Sequence, residues 1–294
     1  MRCQGEVAEP VAVGPADHVC WVYDDAESLA DVAGSFLAGG LARGERLLYV
    51  GDDEGIDLLR RRPGPLGAVD DLVADGTLTL LPLAGAYEGA GAFSPERQLA
   101  FYDAATRGAV DGGSRGLRVV AELTGLAADP DQRRELVRWE HLADGFMAGG
   151  SGMSALCAYR RGAVDPDVLR DVATVHPQLG VPDGVHADEL APFRVFVDGD
   201  RLAVAGSVDA FGAERLRALL TTSPADGDAV ATLDVSGLTF FDAAGCRALA
   251  AWAQDRASCG RRPELVGATP LFARVWRLLG YDRIARATLR RSPA

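Results

Sequence analysis

His18, Cys20 and Tyr23 open the first apolar run of the chain as H-x-C-x-x-Y, which brings an imidazole, a thiol and a phenol onto one short segment. Together they offer a base, a soft ligand and a hydrogen-bond donor, the means by which a pocket orients a small molecule. Glu122 ends a second apolar run, Cys157 and Tyr159 lie in a third, and His176 precedes Pro177. If these runs are neighbouring strands, the side chains converge on a ligand, and a carboxylate beside a histidine gains a reason to be buried. Plainer roles compete: His18 as a satisfied histidine at a strand start, Glu122 as an acid at a strand exit, Tyr159 as core. A transition metal on His18, Cys20, Cys157 and His176 is a further reading, although their spacings match no short ligand motif. Glu140 and His141 fall inside a helical stretch, where at least one is expected on the solvated face.

The elements that must position these residues alternate from Asp17 to about Leu179. HVCWVYDD (18–25) reads as a strand running into an acidic turn, after which Leu29, Val32, Ala33, Phe36, Leu37 and Leu41 recur at helical spacing until Gly44. ERLLYVGDD (45–53) repeats strand and acidic turn before a helix that Pro63 and Pro65 end, and TLTLLPLAGAY (77–87) reads as a third strand. Ser94 caps a helix with Pro95 in its first turn, closed by Gly112 and Gly113. GLRVVAELTG (116–125) is the most apolar strand; a helix over 131–147, a strand over 154–161 and a helix opened by Asp165 and Pro166 complete the half. Short apolar strands separated by longer helices predict a parallel sheet covered on both faces.

HPQLGVPDGVHADELAP (176–192), with its prolines, glycines and acids, reads as a boundary between domains. After it the pattern changes. FRVFVDGD and RLAVAGSVD meet as a hairpin, followed by a helix over 213–220, a strand over 228–235, a helix over 246–257, the strand PELVGA and an amphipathic helix through Leu279.

Composition narrows the chemistry. The 294 residues suffice for about two domains, and nowhere do the ~18 consecutive apolar residues of a spanning helix occur. Glu6 and Glu9 stand where a signal peptide would be apolar, so the chain is expected in the cytoplasm. Lysine and asparagine are absent, and all 30 basic residues are arginine, a bias that a GC-rich coding sequence also produces. No Schiff base and no GxxxxGK[ST] phosphate loop can form, which counts against an ordinary ATPase. Residues 1–189 carry 31 acids against 16 arginines, while 190–294 carry 11 against 14, so a phosphate backbone is not an expected partner. Cys3, Cys20, Cys157, Cys246 and Cys259 are odd in number and lack a CxxC pair, which points to small buried hydrophobes rather than disulfides.

LDVSGLTFFDAAGCRAL (233–249), a strand ending in D-x-S-G, an apolar pair and then a short acidic turn into a helix, resembles the STAS domain of anti-sigma factor antagonists. The resemblance covers 193–288. It implies a partner-binding surface at Thr239, Asp242, Ala243, Ala244, Gly245 and Arg247, and a partner of the anti-sigma factor class with a histidine-kinase-like ATPase fold. The family phosphorylates the second hydroxyl residue of its D-[ST]-[ST]-G turn; here that position is Ala244, which has no oxygen to accept a phosphate. Thr239 has a hydroxyl nearby but is expected to bond locally, and Asp242 reads equally well as a helix N-cap.

The first half resembles the MEDS sensory domain through His18, Cys20 and Tyr23, GLARGERLLYV (39–50), RVVAEL (118–123), ALCAYRR (155–161) and His176-Pro177. This implies a RecA-like parallel α/β sheet without the phosphate loop and a small organic ligand at His18, Cys20, Tyr23, Glu122, Cys157, Tyr159 and His176. The expected organisation is a sensor over 16–179, a linker over 180–192 and a smaller α/β STAS domain over 193–288. The expected function is signalling, with no catalytic residue, cofactor or membrane partner. The competing readings are a degenerate RecA-like nucleotide-binding protein, with Glu122 activating water, and a redox or metal sensor.

Overall fold

The computed structural model describes residues 3–87, 93–223 and 230–291. The first half contains β1 (Gly5–Glu6), β2 (His18–Tyr23), α1 (Ala26–Arg43), β3 (Arg46–Gly51), α2 (Asp53–Arg61), α3 (Val69–Ala74), β4 (Leu78–Pro82), α4 (Leu83–Tyr87) and α5 (Pro95–Asp111). It continues through β5 (Leu117–Glu122), α6 (Thr124–Ala127), α7 (Arg133–Ala148), β6 (Met153–Arg160), α8 (Pro166–Thr174), β7 (Gln178–Gly180) and α9 (Ala187–Leu190). The second half comprises β8 (Phe193–Asp198), β9 (Arg201–Val208), α10 (Ala213–Thr222), β10 (Val230–Phe241), α11 (Ala243–Ser258), β11 (Arg262–Ala268), α12 (Pro270–Leu278), α13 (Tyr281–Ile284) and β12 (Thr288–Arg291).

The larger sheet has the order β1-β7-β2-β6-β5-β3-β4, and its strand pairings among the described residues are all parallel. All six residues of β2 and of β5 are buried, as expected of central strands covered on both faces. Local chemistry sets the helix ends. Asp25 accepts from the Ser28 amide to open α1, Gly44 in the left-handed region closes it, and Ser94 accepts from the Arg97 amide to open α5. One sheet face packs on α1 and α2 through Phe36, Leu37, Tyr49 and Leu59. The other packs beneath α5, α7 and α8.

The smaller sheet runs β12-β11-β10-β9-β8, and among the described residues only β8 and β9 pair antiparallel. Its core is continuous with that of the larger sheet: one cluster of buried side chains runs from Cys157 and Leu136 to Val195, Leu216 and Trp276. Helix α7 lies at this junction, between the larger sheet and β8.

Four expectations change. The strand expected over 77–87 stops at Pro82, because proline has no N–H to continue a ladder, and Leu83–Tyr87 coils into α4. The boundary expected over 176–192 is partly sheet and helix: Gln178–Gly180 pair with both β2 and β1, and Ala187–Leu190 form α9. Gly180 permits this because a Cβ there would lie 2.0 Å from the Trp21 ring. Glu140 and His141 are both wholly buried, since α7 is covered by the sheet on one side and by the second half on the other. The helix expected from Cys246 begins three residues earlier, at Ala243, and the start of the strand expected at Asp228 lies outside the described residues.

Candidate functional site

Strand alternation sorts the expected ligand residues into two groups. On β2, His18 and Cys20 point toward α7, whereas Val19, Trp21 and Tyr23 point toward α1. β6 pairs with β2 in the register Cys20 to Cys157, which aligns Cys157 and Tyr159 with the His18 face. The buried stripe of α7 lies over that face as Leu136, Val137, Glu140, Ala143, Asp144 and Met147. Glu140 is the acid in the middle of this stripe, and it becomes the hub of a polar centre.

Glu140 Oε2 lies 3.2 Å from His18 Nε2, 3.4 Å from His176 Nε2 and 3.4 Å from Cys157 Sγ, which donates to it. The Tyr159 hydroxyl donates to Oε1. Cys157 Sγ is also 3.5 Å from His18 Nε2, and the two imidazoles tilt against each other with centroids 3.9 Å apart. His176, just beyond α8, is fixed by a 2.7 Å bond from Nδ1 to the Val172 carbonyl. His18 Nδ1 stands 3.4 Å from Asp144 Oδ1. None of these four ring, carboxylate and thiol groups reaches solvent.

The charges follow from this packing. Burial would lower the His18 pKa, but the hydrogen bonds and negative charges of Asp144 and Glu140 outweigh it and raise the pKa above its ordinary value. Burial would raise that of Glu140, yet the two histidines hold it well below the carboxylate range. Burial and the neighbouring His18 lower that of His176. Burial brings His141 down to about 4, and burial with the Glu140 charge pushes the Cys157 and Tyr159 protons up. Cys20 lies on the same face, its thiol likewise pushed up by burial, but it is not one of the four clustered donors.

Tyr23 and Glu122 form the second group, on the opposite face and at the carboxyl ends of β2 and β5. The Tyr23 hydroxyl donates to Glu122 Oε1 at 2.5 Å and lies 3.2 Å from Thr124 Oγ1. A crevice of about 490 Å³ opens beside Tyr23 between Trp21, Ser28, Val32 and Pro182. Carboxyl ends of parallel strands are where open α/β sheets hold ligands. Immediately after β2, however, the chain offers acids: Asp25 already caps α1, and Arg161 grips Asp24 through two bonds of 2.7 and 2.8 Å. That turn is therefore poorly made for a phosphate.

Burial raises the Glu122 pKa, with the charges of Asp52 and Glu54 adding to it. A carboxyl that keeps its proton in the folded state while the unfolded chain has lost it makes stability fall as pH rises from the unfolded value of 4.5 through the folded one. Glu122→Gln is therefore expected to flatten that part of the profile and to gain on the wild type as pH rises. Urea unfolding between pH 4 and 8 measures this, and a pH-independent difference would contradict it.

In the second half, Asp242 accepts from the amides of Ala244 and Gly245 at 2.8 and 2.9 Å and is the N-cap of α11. A Cβ on Gly245 would lie 2.9 Å from the Val208 carbonyl, so this turn requires glycine. Ala243 and Arg247 are exposed and Ala244 is half-buried. Thr239 is exposed, its hydroxyl 3.3 Å from that of Ser207. What the sequence did not single out is the facing wall: α10 and α11 enclose a groove of about 390 Å³ lined by Ala213, Arg217, Ala244, Arg247 and Ala251. Phe211 and Phe240, 94% and 52% exposed, stand nearby on the adjoining segments.

A parallel α/β module with a buried polar centre is thus joined to a smaller α/β module that displays a small-residue turn. Residues 17–177 match the model of the MEDS domain, the methanogen/methylotroph, DcmR sensory domain, and residues 197–290 match that of the Mlab STAS domain. The chain belongs to the MEDS family, with a STAS domain following the sensory domain. No curated protein matches it. Neither family is typically enzymatic, and no described helix is long and apolar enough to cross a membrane.

Proposed function

We propose that the chain is a cytoplasmic regulatory switch rather than an enzyme, in which residues 16–179 sense a small organic ligand and residues 193–288 dock an anti-sigma factor of the histidine-kinase-like ATPase type. The sensed molecule enters at the carboxyl ends of the strands, beside Tyr23 and Glu122, and the inner set of His18, Cys20, Cys157, Tyr159 and His176 reports its presence to α7. The docking surface runs from Thr239 through Asp242, Ala243, Ala244 and Gly245 to Arg247.

One observation carries the reading. Asp144, on α7, faces His18 in the sensory centre and also accepts a 2.6 Å hydrogen bond from the Val197 amide of β8. A shift of α7 therefore moves the first strand of the second sheet, and a ligand that favours one position of α7 shifts the population presented to a partner. With alanine at the position that carries the acceptor hydroxyl in STAS antagonists, control comes from the sensory domain and not from phosphorylation of this turn.

Ala244→Asp tests the surface. It places a negative charge in the first turn of α11, where the helix dipole accommodates it at a gain of ~0.3–1 kcal/mol at most. The expected result is an unchanged or slightly raised Tm together with loss of binding to an anti-sigma factor of this ATPase class. Undiminished binding by Ala244→Asp would move the docking surface elsewhere.

A further inference from the structure

The inner centre has the geometry of a metal site. One donor atom each from His18, His176, Glu140 and Cys157, nitrogen, oxygen and sulfur in kind, lies within 4.8 Å of the other three, and all four residues are buried. A zinc-class ion binds nitrogen and oxygen at ~2.0–2.1 Å and thiolate at ~2.3 Å; a tetrahedron of those radii has edges of ~3.3 Å between nitrogen or oxygen donors and ~3.6 Å to sulfur. The observed separations are 3.2 and 3.4 Å from Oε2 to the two imidazole nitrogens, 3.4 Å from Oε2 to Sγ and 3.5 Å from Sγ to His18 Nε2. Four of the six edges thus already have tetrahedral lengths. Donors this close leave no room between them for an organic molecule.

The surrounding bonds prepare the donors. The Val172 carbonyl can only accept, so His176 Nδ1 carries a proton, and this bond directs Nε2 at Glu140 Oε2, 3.4 Å away. A cation held between the imidazole nitrogen and the carboxylate oxygen is attracted by both. His18 Nδ1 faces the Asp144 carboxylate, and Tyr159 occupies Glu140 Oε1, leaving Oε2 for the ion. A carboxylate behind one imidazole and a carbonyl behind the other are the outer partners that orient metal-bound histidines.

We propose that His18, Glu140, Cys157 and His176 bind one zinc-class divalent ion, which ties β2, β6, α7 and the end of α8 together at the domain junction. Four protein donors and no opening to solvent make this a closed, structural centre rather than a catalytic one. Binding displaces the Cys157 thiol proton and any proton on His18, while Glu140 enters as the carboxylate. The ion loads as the chain folds. The inference is independent of the partner that the second domain docks.

The full chain is unfolded in urea with EDTA, freed of chelator and refolded with Co²⁺ or Zn²⁺. The expected results are zinc retained through dialysis at one ion per chain, and for cobalt the intense ligand-field bands of a tetrahedral site with a thiolate-to-cobalt charge-transfer band. Cys157→Ser abolishes the charge-transfer band, and Asp144→Asn, which alters the partner behind His18, weakens affinity by about 10–100-fold. The pair Cys3→Ser and Cys259→Ser removes the two exposed thiols and leaves the spectrum intact. Wild-type chain that refolds to its normal circular dichroism yet retains no zinc and shows no cobalt bands overturns the proposal, whatever the variants do. So does a charge-transfer band that survives Cys157→Ser or vanishes with Cys3 and Cys259.

Discussion

Glu140→Ala is expected to destabilise the metal-free chain by about 3–5 kcal/mol, the cost of removing one partner from a buried ion pair. Glu140 Oε2 is the acceptor around which His18, His176 and Cys157 gather, and its other oxygen holds the Tyr159 hydroxyl. Alanine removes all of these contacts at once. It also leaves His18, whose pKa is raised partly by this carboxylate, with Asp144 as the remaining acid beside it. Urea unfolding in the presence of EDTA reads the effect without a contribution from bound ions. A double-mutant cycle with His18→Ala separates the pair from simple loss of packing: the two substitutions together should cost clearly less than the sum of their separate effects. Additive losses, or a Glu140→Ala cost below about 1 kcal/mol, would mean that the centre is not electrostatically coupled in the way its distances indicate.

Asp144→Ala is expected to split unfolding into two transitions. In the wild type, a buried core continuous between the two sheets and the 2.6 Å bond from the Val197 amide to Asp144 are expected to make the halves unfold together. Alanine withdraws the acceptor from the half-buried Val197 N–H at the junction, at a cost of about 1 kcal/mol, and also removes the carboxylate beside His18. Differential scanning calorimetry should show one peak for the wild type and two for the variant, with the α7-to-β8 contact as the element lost. Asp144→Asn keeps an acceptor oxygen and should restore most of the cooperativity. A single peak in Asp144→Ala would remove this residue as the link between sensory centre and output sheet.

Much of the architecture was legible in the sequence. Apolar runs of six residues between helices with identifiable caps, such as Asp25 and Ser94, define a parallel α/β half, and the change of pattern after Pro192 marks a second one. Pro82 and the Pro- and Gly-rich stretch at 176–192 misled for opposite reasons: proline ended a strand that looked longer, while Gln178–Gly180 formed a strand where the composition favoured a linker. β7 is only three residues long and its pairing with β2 is non-local, so no periodicity could reveal it.

The site was legible only in part. The parity of His18 and Cys20 against Tyr23 already places them on opposite faces of a strand, and Cys157 shares parity with Tyr159. Glu140 stood within a stripe of Leu136, Val137, Ala143 and Met147, and an acid inside an apolar stripe is the signal that could have identified it. The sequence by itself determined the types of chemistry present and absent: histidine, thiol and carboxylate in an acidic chain without lysine, and an alanine where STAS antagonists carry a phosphoacceptor. Only the tertiary structure decided which of those groups meet. His18 and Cys157 are 139 residues apart, and what brings their polar atoms within 3.5 Å is strand register together with a helix laid across it. Register and packing depend on the burial of whole faces, a property of the assembled sheet that no local stretch of residues encodes.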